Sequence, residues 1–291
     1  MDIKAIIMGL FFALIWSSAF TSARIIVLQA PPLTISALRF LMAGLIAITI
    51  AYLMGQRIRL DRKNWRAVAI FGVCQNALYL GLFFTAMQRI EASLASIIAS
   101  AVPLIVGFAS AIRGERVGWL GWTGLGIGFA GVALIMGARL SGGVDLIGVL
   151  LCLIGVTALA IATLAVRATS SKGNVLMVVG LQMLIGSAAL AIPALLLEDH
   201  SFTWTGSLLG AFLYTVIMPG IVATIIWFLL VERIGATRAS TFHFLNPFFG
   251  VAIAAVILGE SLSTTDVIGV AVVMAGILAV QSSRNSAGTS R

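Results

Sequence analysis

Charge is what this chain has least of. Only 10% of its 291 residues are Asp, Glu, Lys or Arg, against 60% hydrophobic residues and a mean hydropathy of +1.12, whereas a soluble domain carries roughly 25% charged residues. That scarcity excludes a water-soluble globule and leaves a polytopic membrane protein. Cysteine is nearly absent too. Cys74 and Cys152 each lie in an apolar run without a second Cys or a His at ligand spacing, which removes the disulfide and zinc readings, and neither a metal nor a cofactor is called for. Carboxylates are missing from the middles of the apolar runs, since every Asp and Glu falls in or beside a turn. The net charge of +8 would suggest nucleic acid in a soluble chain. Here it reads as loop Lys and Arg that orient membrane spans, and no nucleic-acid partner is implied.

What is present is a series of apolar runs of membrane-crossing length, about 20 residues for roughly 30 Å of hydrocarbon. Ten are counted, at 3–28, 33–53, 67–87, 92–112, 119–136, 146–166, 175–197, 207–231, 237–258 and 267–280. The first is too long for a signal-peptide core and reads as a retained span. The connections leave no room for a soluble domain. With the N-terminus inside, one set of loops holds Arg57, Arg59, Arg62, Lys63, Arg66, Arg113, Arg116, Arg167, Lys172, Arg233 and Arg238, and the other only Arg24, Arg89 and Arg139. Both termini are therefore expected in the cytoplasm.

The two halves repeat each other. Phe84, Arg89-Ile90, Ala92, Ala95-Ser96 and Pro103 align with Phe228, Arg233-Ile234, Ala236, Ala239-Ser240 and Pro247, all 144 residues on. Gly114-Glu115, Gly124 and Ala130-Gly131 then align with Gly259-Glu260, Gly269 and Ala275-Gly276, 145 residues on. A duplicated unit must be recognised before a fold is assigned. Five spans per copy, an odd number, turns the second copy over. The expected fold is an all-α membrane protein of ten transmembrane helices, built as two inverted five-helix repeats (1–140 and 141–284) around a central cavity, a transporter construction. The polar tail, 285–291, is expected to be disordered or an appendage.

This plan resembles the drug/metabolite transporter superfamily in its EamA-type branch. The first span ALIWSSAF (Ala13 to Phe20), the second ISALRFLMAG (Ile35 to Gly44) and the paired AxxAS, Pro and Gly-Glu blocks carry the resemblance. More narrowly the chain is similar to the YddG-type amino-acid exporters, which implies efflux of aromatic and other amino acids across a bacterial inner membrane by alternating access, not catalysis. One departure is informative. The small multidrug branch carries a first-helix glutamate, whereas the acid preceding Asp61 here is Asp2, so proton coupling through such a carboxylate is not expected.

Polar groups inside hydrocarbon are costly and are site candidates by default, weighed against helix–helix hydrogen bonding. His243, Asn246 and Gly250 recur at helical spacing ahead of and beyond Pro247, which cannot donate to the His243 carbonyl and so is expected to free an acceptor in mid-membrane. Ser96 and Ser100 with Pro103 repeat the device in the fourth span. Gln75, Asn76 and Tyr79 share a helical face in the third span, and the repeat sends Gln75-Asn76 to a break at Pro219-Gly220. Trp16, Ser17, Tyr214 and Trp227 complete the expected cavity wall. Arg39 reads as a structural charge or a gate, with Glu91 as its expected partner. It has a functional alternative, a hold on a substrate carboxylate. Gly124, Gly131, Gly269 and Gly276 read as close-packing sites and as a dimer surface, leaving monomer or homodimer open. The expected partners are amino acids or similar small metabolites and membrane lipids. Drugs, purines or nucleotide sugars on the same fold, and an intramembrane serine-type enzyme, are the competing readings.

Overall fold

The computed structural model describes residues 3–58, 60–112, 118–166, 174–234 and 239–289. The expectations that fall on Gly114-Glu115, Ala236, Arg59, Arg113, Arg116, Arg167, Lys172 and Arg238 lie outside the described residues. All elements are helical, with no strand among the described residues. In chain order they are α1 (Ile3–Val27), α2 (Pro32–Leu53), α3 (Arg62–Phe71), a π-helix (Gly72–Leu80), α4 (Gly81–Ala86), α5 (Ala92–Ala99), α6 (Val102–Ile112), α7 (Trp119–Ser141), α8 (Leu146–Val166) and α9 (Val175–Leu197). There follow α10 (Gly206–Thr215), a second π-helix (Val216–Val222), α11 (Ala223–Ile234), a 3-10 helix (Ser240–Leu245), α12 (Asn246–Leu258) and α13 (Thr264–Thr289), which runs on into the polar tail. Among the described residues eight segments are long and apolar enough to cross a membrane, against the ten expected, and two further apolar helices, Leu146–Ala162 and Phe242–Leu258, are shorter.

The chain forms two compact units, Met1–Thr21 with Ile90–Leu146 and Ile226–Arg291, and Ser22–Arg89 with Ile147–Ile225. Each draws helices from both halves of the sequence repeat. In the second unit α2 packs antiparallel on α9, backbone against backbone. A Cβ built on Gly44 would lie 3.1 Å from the Gly180 carbonyl oxygen, and one on Gly180 would lie 3.0 Å from that of Gly44. Small residues are what let apolar helices associate where lipid tails remove the hydrophobic drive. The helix ends are capped from across the pair. Glu198, just past α9, accepts the Leu33 and Thr34 N–H groups of α2 at 2.8 and 2.7 Å, and Gln56, just past α2, accepts the Met177 N–H of α9 at 3.0 Å. Each side chain satisfies amides that the first helical turn leaves orphaned.

The first unit holds two more antiparallel pairs. Along α7 and α13 a Cβ on Gly276 would lie 2.4 Å from Gly128 N, and one on Gly131 2.8 Å from Val273 N. At one end of that pair Arg139 grips Asp266 with Nε and Nη2, at 3.2 and 2.9 Å, and Glu91 with Nη1 at 2.7 Å. The other pair is α5 and α12. Gly259 closes α12 in the left-handed region, φ +68°, where glycine carries no Cβ penalty, and the next residue, Glu260, accepts the Ala92 and Ser93 N–H groups of α5 at 2.8 and 2.9 Å. That is the physical content of the repeated Gly-Glu motif in its second copy.

Candidate functional site

Helix irregularities bring the polar groups together. Pro247 lies in the first turn of α12 rather than inside a helix, and the preceding segment winds as 3-10. The tighter register lets the Asn246 N–H donate to the His243 carbonyl. This corrects the expectation of a freed acceptor, because the bond Pro247 cannot make is replaced by one a residue earlier. The fourth run is similarly interrupted between α5 and α6, where Ser100 N and Ala101 N donate three residues back to Ile97 O and Ile98 O, and Pro103 opens α6. The third and eighth runs each pass through a π-helix. Pro219 and Gly220 lie inside the second, and the two begin at Gly72 and Val216, 144 residues apart, the offset of the sequence repeat. Such segments are rare and concentrate at functional sites.

In the first unit the groups converge on Asn246. Its amide nitrogen lies 3.0 Å from His243 Nδ1. With the amide donating, the neutral imidazole carries its proton on Nε2. The Asn246 carbonyl accepts from Ser17 of α1 and Ser96 of α5, both at 3.3 Å. Both serines are fully buried. Gly250 makes that approach feasible, since a Cβ there would fall 1.8 Å from Ser96 Oγ. Three aromatic rings surround the imidazole: Phe12 edge-on at 5.2 Å, Trp227 at 4.9 Å and Trp16 at 6.4 Å. Phe12 is absent from the expected cavity wall, and its position one turn before Trp16 is the sequence signal that points to it. Ser100 is not part of the cluster, because its hydroxyl donates to Ile97 O at 2.6 Å.

The second unit holds the remaining candidates. Asn76, in the first π-helix, is buried and donates to the Gln182 carbonyl of α9 at 3.0 Å. Tyr79 is buried with its ring 4.6 Å from that of Phe83. Gln75 is half-buried. The π-helical turn alters the expected face and commits Asn76 to a neighbouring helix. Tyr214 is exposed, like Leu213 and Ile217. Arg39 is 6% exposed, its guanidinium carbon 4.3 Å from the centre of the Phe40 ring and 4.7 Å from that of Phe84. Its expected partner was Glu91, but Glu91 is bound by Arg139, within the first unit. All three members of that ion cluster belong to one unit, which favours the structural reading of Glu91 over the gate.

Apolar helices of membrane-crossing length with buried polar and aromatic groups packed among them define a multi-pass membrane protein. The comparisons give the family. A model of the EamA-like transporter family, in the drug/metabolite transporter superfamily, matches the chain twice, over residues 3–137 and 146–281, and the chain belongs to that family. It is 26% identical to the uncharacterized transporter YvbV of Bacillus subtilis, over 93% of this chain and 89% of that one. Identity to the uncharacterized inner membrane transporter YedA of Escherichia coli K12 is 28%, over 94% and 89%. Among solved structures, one crystal structure matches with a TM-score of 0.68 at 21% identity, over 95% of this chain and 98% of that one, a likeness of fold alone.

Proposed function

We propose that this protein exports small metabolites, amino acids including aromatic ones first among them, across a bacterial inner membrane by alternating access, with both termini cytoplasmic. The observation that carries the proposal is the Asn246 cluster. Two buried serines, an amide and an imidazole walled by Phe12, Trp16 and Trp227 offer hydrogen bonds and aromatic surface at one place among membrane helices, where polar groups are retained for function. The second support is the sequence repeat: the antiparallel packing of α2 on α9, α5 on α12 and α7 on α13 is what two inverted five-helix copies would call for.

The serine-enzyme alternative is disfavoured by the same contacts. Ser17 and Ser96 donate to the Asn246 carbonyl and Ser100 to Ile97 O, so none of these hydroxyls is activated by His243. Drug or purine export on the same fold remains the competing outcome. The test is counterflow of radiolabelled amino acids in proteoliposomes, with and without an imposed pH gradient, for wild type and His243→Ala. Saturable amino-acid counterflow indifferent to the gradient makes the protein a facilitator with His243 as wall. Gradient-driven accumulation that His243→Ala abolishes makes it a proton antiporter, and no amino-acid flux overturns the substrate reading.

A further inference from the structure

Among the described residues Arg39 has no counter-ion. It stands seven residues into α2, about 10 Å along the helix, and its Nε is buried with no hydrogen-bond partner among the described residues. One turn earlier on the same face the Ser36 hydroxyl, fully buried, is likewise unpartnered. The flanking Phe40 and Phe84 rings attract the guanidinium through their faces, but they do not take up its N–H groups as an acceptor oxygen would. The acids of this unit are Asp61, Glu198 and Asp199, and each is committed elsewhere. Asp61 accepts the Asn64 N–H at 2.7 Å, Glu198 caps α2, and Asp199 accepts the Ser201 N–H at 3.0 Å. A buried charge is tolerated only when it is paired. What would complete this site is therefore an acceptor-only, negatively charged group that an Arg fork and one hydroxyl can grip together, and a carboxylate fits that description.

We infer that Arg39, with Ser36, anchors the carboxylate of the transported molecule, which narrows the substrate to free acids. This rests on the transporter reading above.

The experiment is proteoliposome counterflow in phosphatidylcholine vesicles, free of anionic lipid, with phenylalanine, phenylalanine amide and phenethylamine as substrates. Wild type, Arg39→Gln, Arg39→Lys and Ser36→Ala are compared, each after a thermal melt in detergent. Wild type is expected to prefer phenylalanine to both uncharged-end analogues by about a hundredfold, and Arg39→Gln to lose that preference by lowering phenylalanine flux while leaving the amine's unchanged. Arg39→Lys keeps the preference at reduced flux, and Ser36→Ala raises the phenylalanine KM by about fivefold with an unaltered melting temperature. If Arg39→Gln fails to fold, Ser36→Ala carries the test, since a phenylalanine KM unchanged from wild type in a folded Ser36→Ala protein overturns the inference. Wild-type flux that ignores the carboxylate, or a preference that survives all three substitutions, overturns the inference while leaving the transporter reading intact. Absence of flux for all three substrates overturns both.

Discussion

Two buried polar groupings, the Asn246 cluster of the first unit and Arg39 with Ser36 of the second, are built in opposite ways. In the first, the network is closed: the Asn246 main-chain carbonyl receives Ser17 and Ser96 and its side-chain amide serves His243, and at one end of α7 Arg139 is matched by Asp266 and Glu91. In the second, Arg39 Nε and the Ser36 hydroxyl are buried donors with no acceptor among the described residues. Closed networks rigidify and specify packing, whereas an open one has a cost that a ligand can remove. The difference separates a place where a ligand must exchange hydrogen bonds already made from one where it supplies a partner that is missing.

The sharpest way to break the comparison is to pry apart the first unit. Gly276→Leu places a side chain against Gly128 N and Cα at 2.4 and 2.5 Å, backbone that cannot turn aside, and is expected to cost about 3 kcal/mol or more, seen as loss of monodisperse protein in size exclusion. Asp266→Ala strips the buried partner from Arg139 but leaves Glu91. We expect about 2 kcal/mol, below the roughly 3–5 kcal/mol of a wholly broken buried pair, while Glu91→Ala, on the half-exposed side, costs less than about 1 kcal/mol. Thermal melts of the two variants side by side check the order. Asn246→Ala orphans His243 Nδ1 and should cost about 1–2 kcal/mol. Ser36→Ala is the smallest and most telling change: it removes a hydroxyl with no partner, so stability should stay within about 0.5 kcal/mol of wild type or rise. A clear destabilisation there would show Ser36 to be structural and erase the contrast.

The large-scale features were legible because membrane insertion writes them in composition. The apolar runs located the helices to within a few residues, 146–166 and 175–197 coinciding with α8 and α9, and the repeat in sequence reappears as two π-helices 144 residues apart. The glycines of the fifth and tenth spans were identified as packing sites because a Gly-rich apolar helix has little other use. The site was legible only in part. His243, Asn246, Ser17, Ser96, Trp16 and Trp227 do meet, but the faces assigned to Gln75, Asn76 and Tyr79 assumed 3.6 residues per turn, and the π-helix there has another period. The freed carbonyl at His243 failed for the same reason, since local winding adjusts to proline. The partners of Glu91, Glu198 and Glu260 were hidden because each lies on a helix far away in sequence, and no local pattern records which distant helix end a loop carboxylate will reach.

That last point bears on how the chain is made. The Leu33 and Thr34 amides that open α2 are satisfied by a carboxylate 165 and 164 residues further on. At a synthesis rate of about 5–20 residues per second, α2 waits roughly 8–33 seconds for its cap while α9 is still on the ribosome. Throughout that interval α2 stands in or at the membrane with exposed donors at its end. The order of translation, and not only the final packing, therefore demands that the first turn of α2 stay near water until Glu198 arrives.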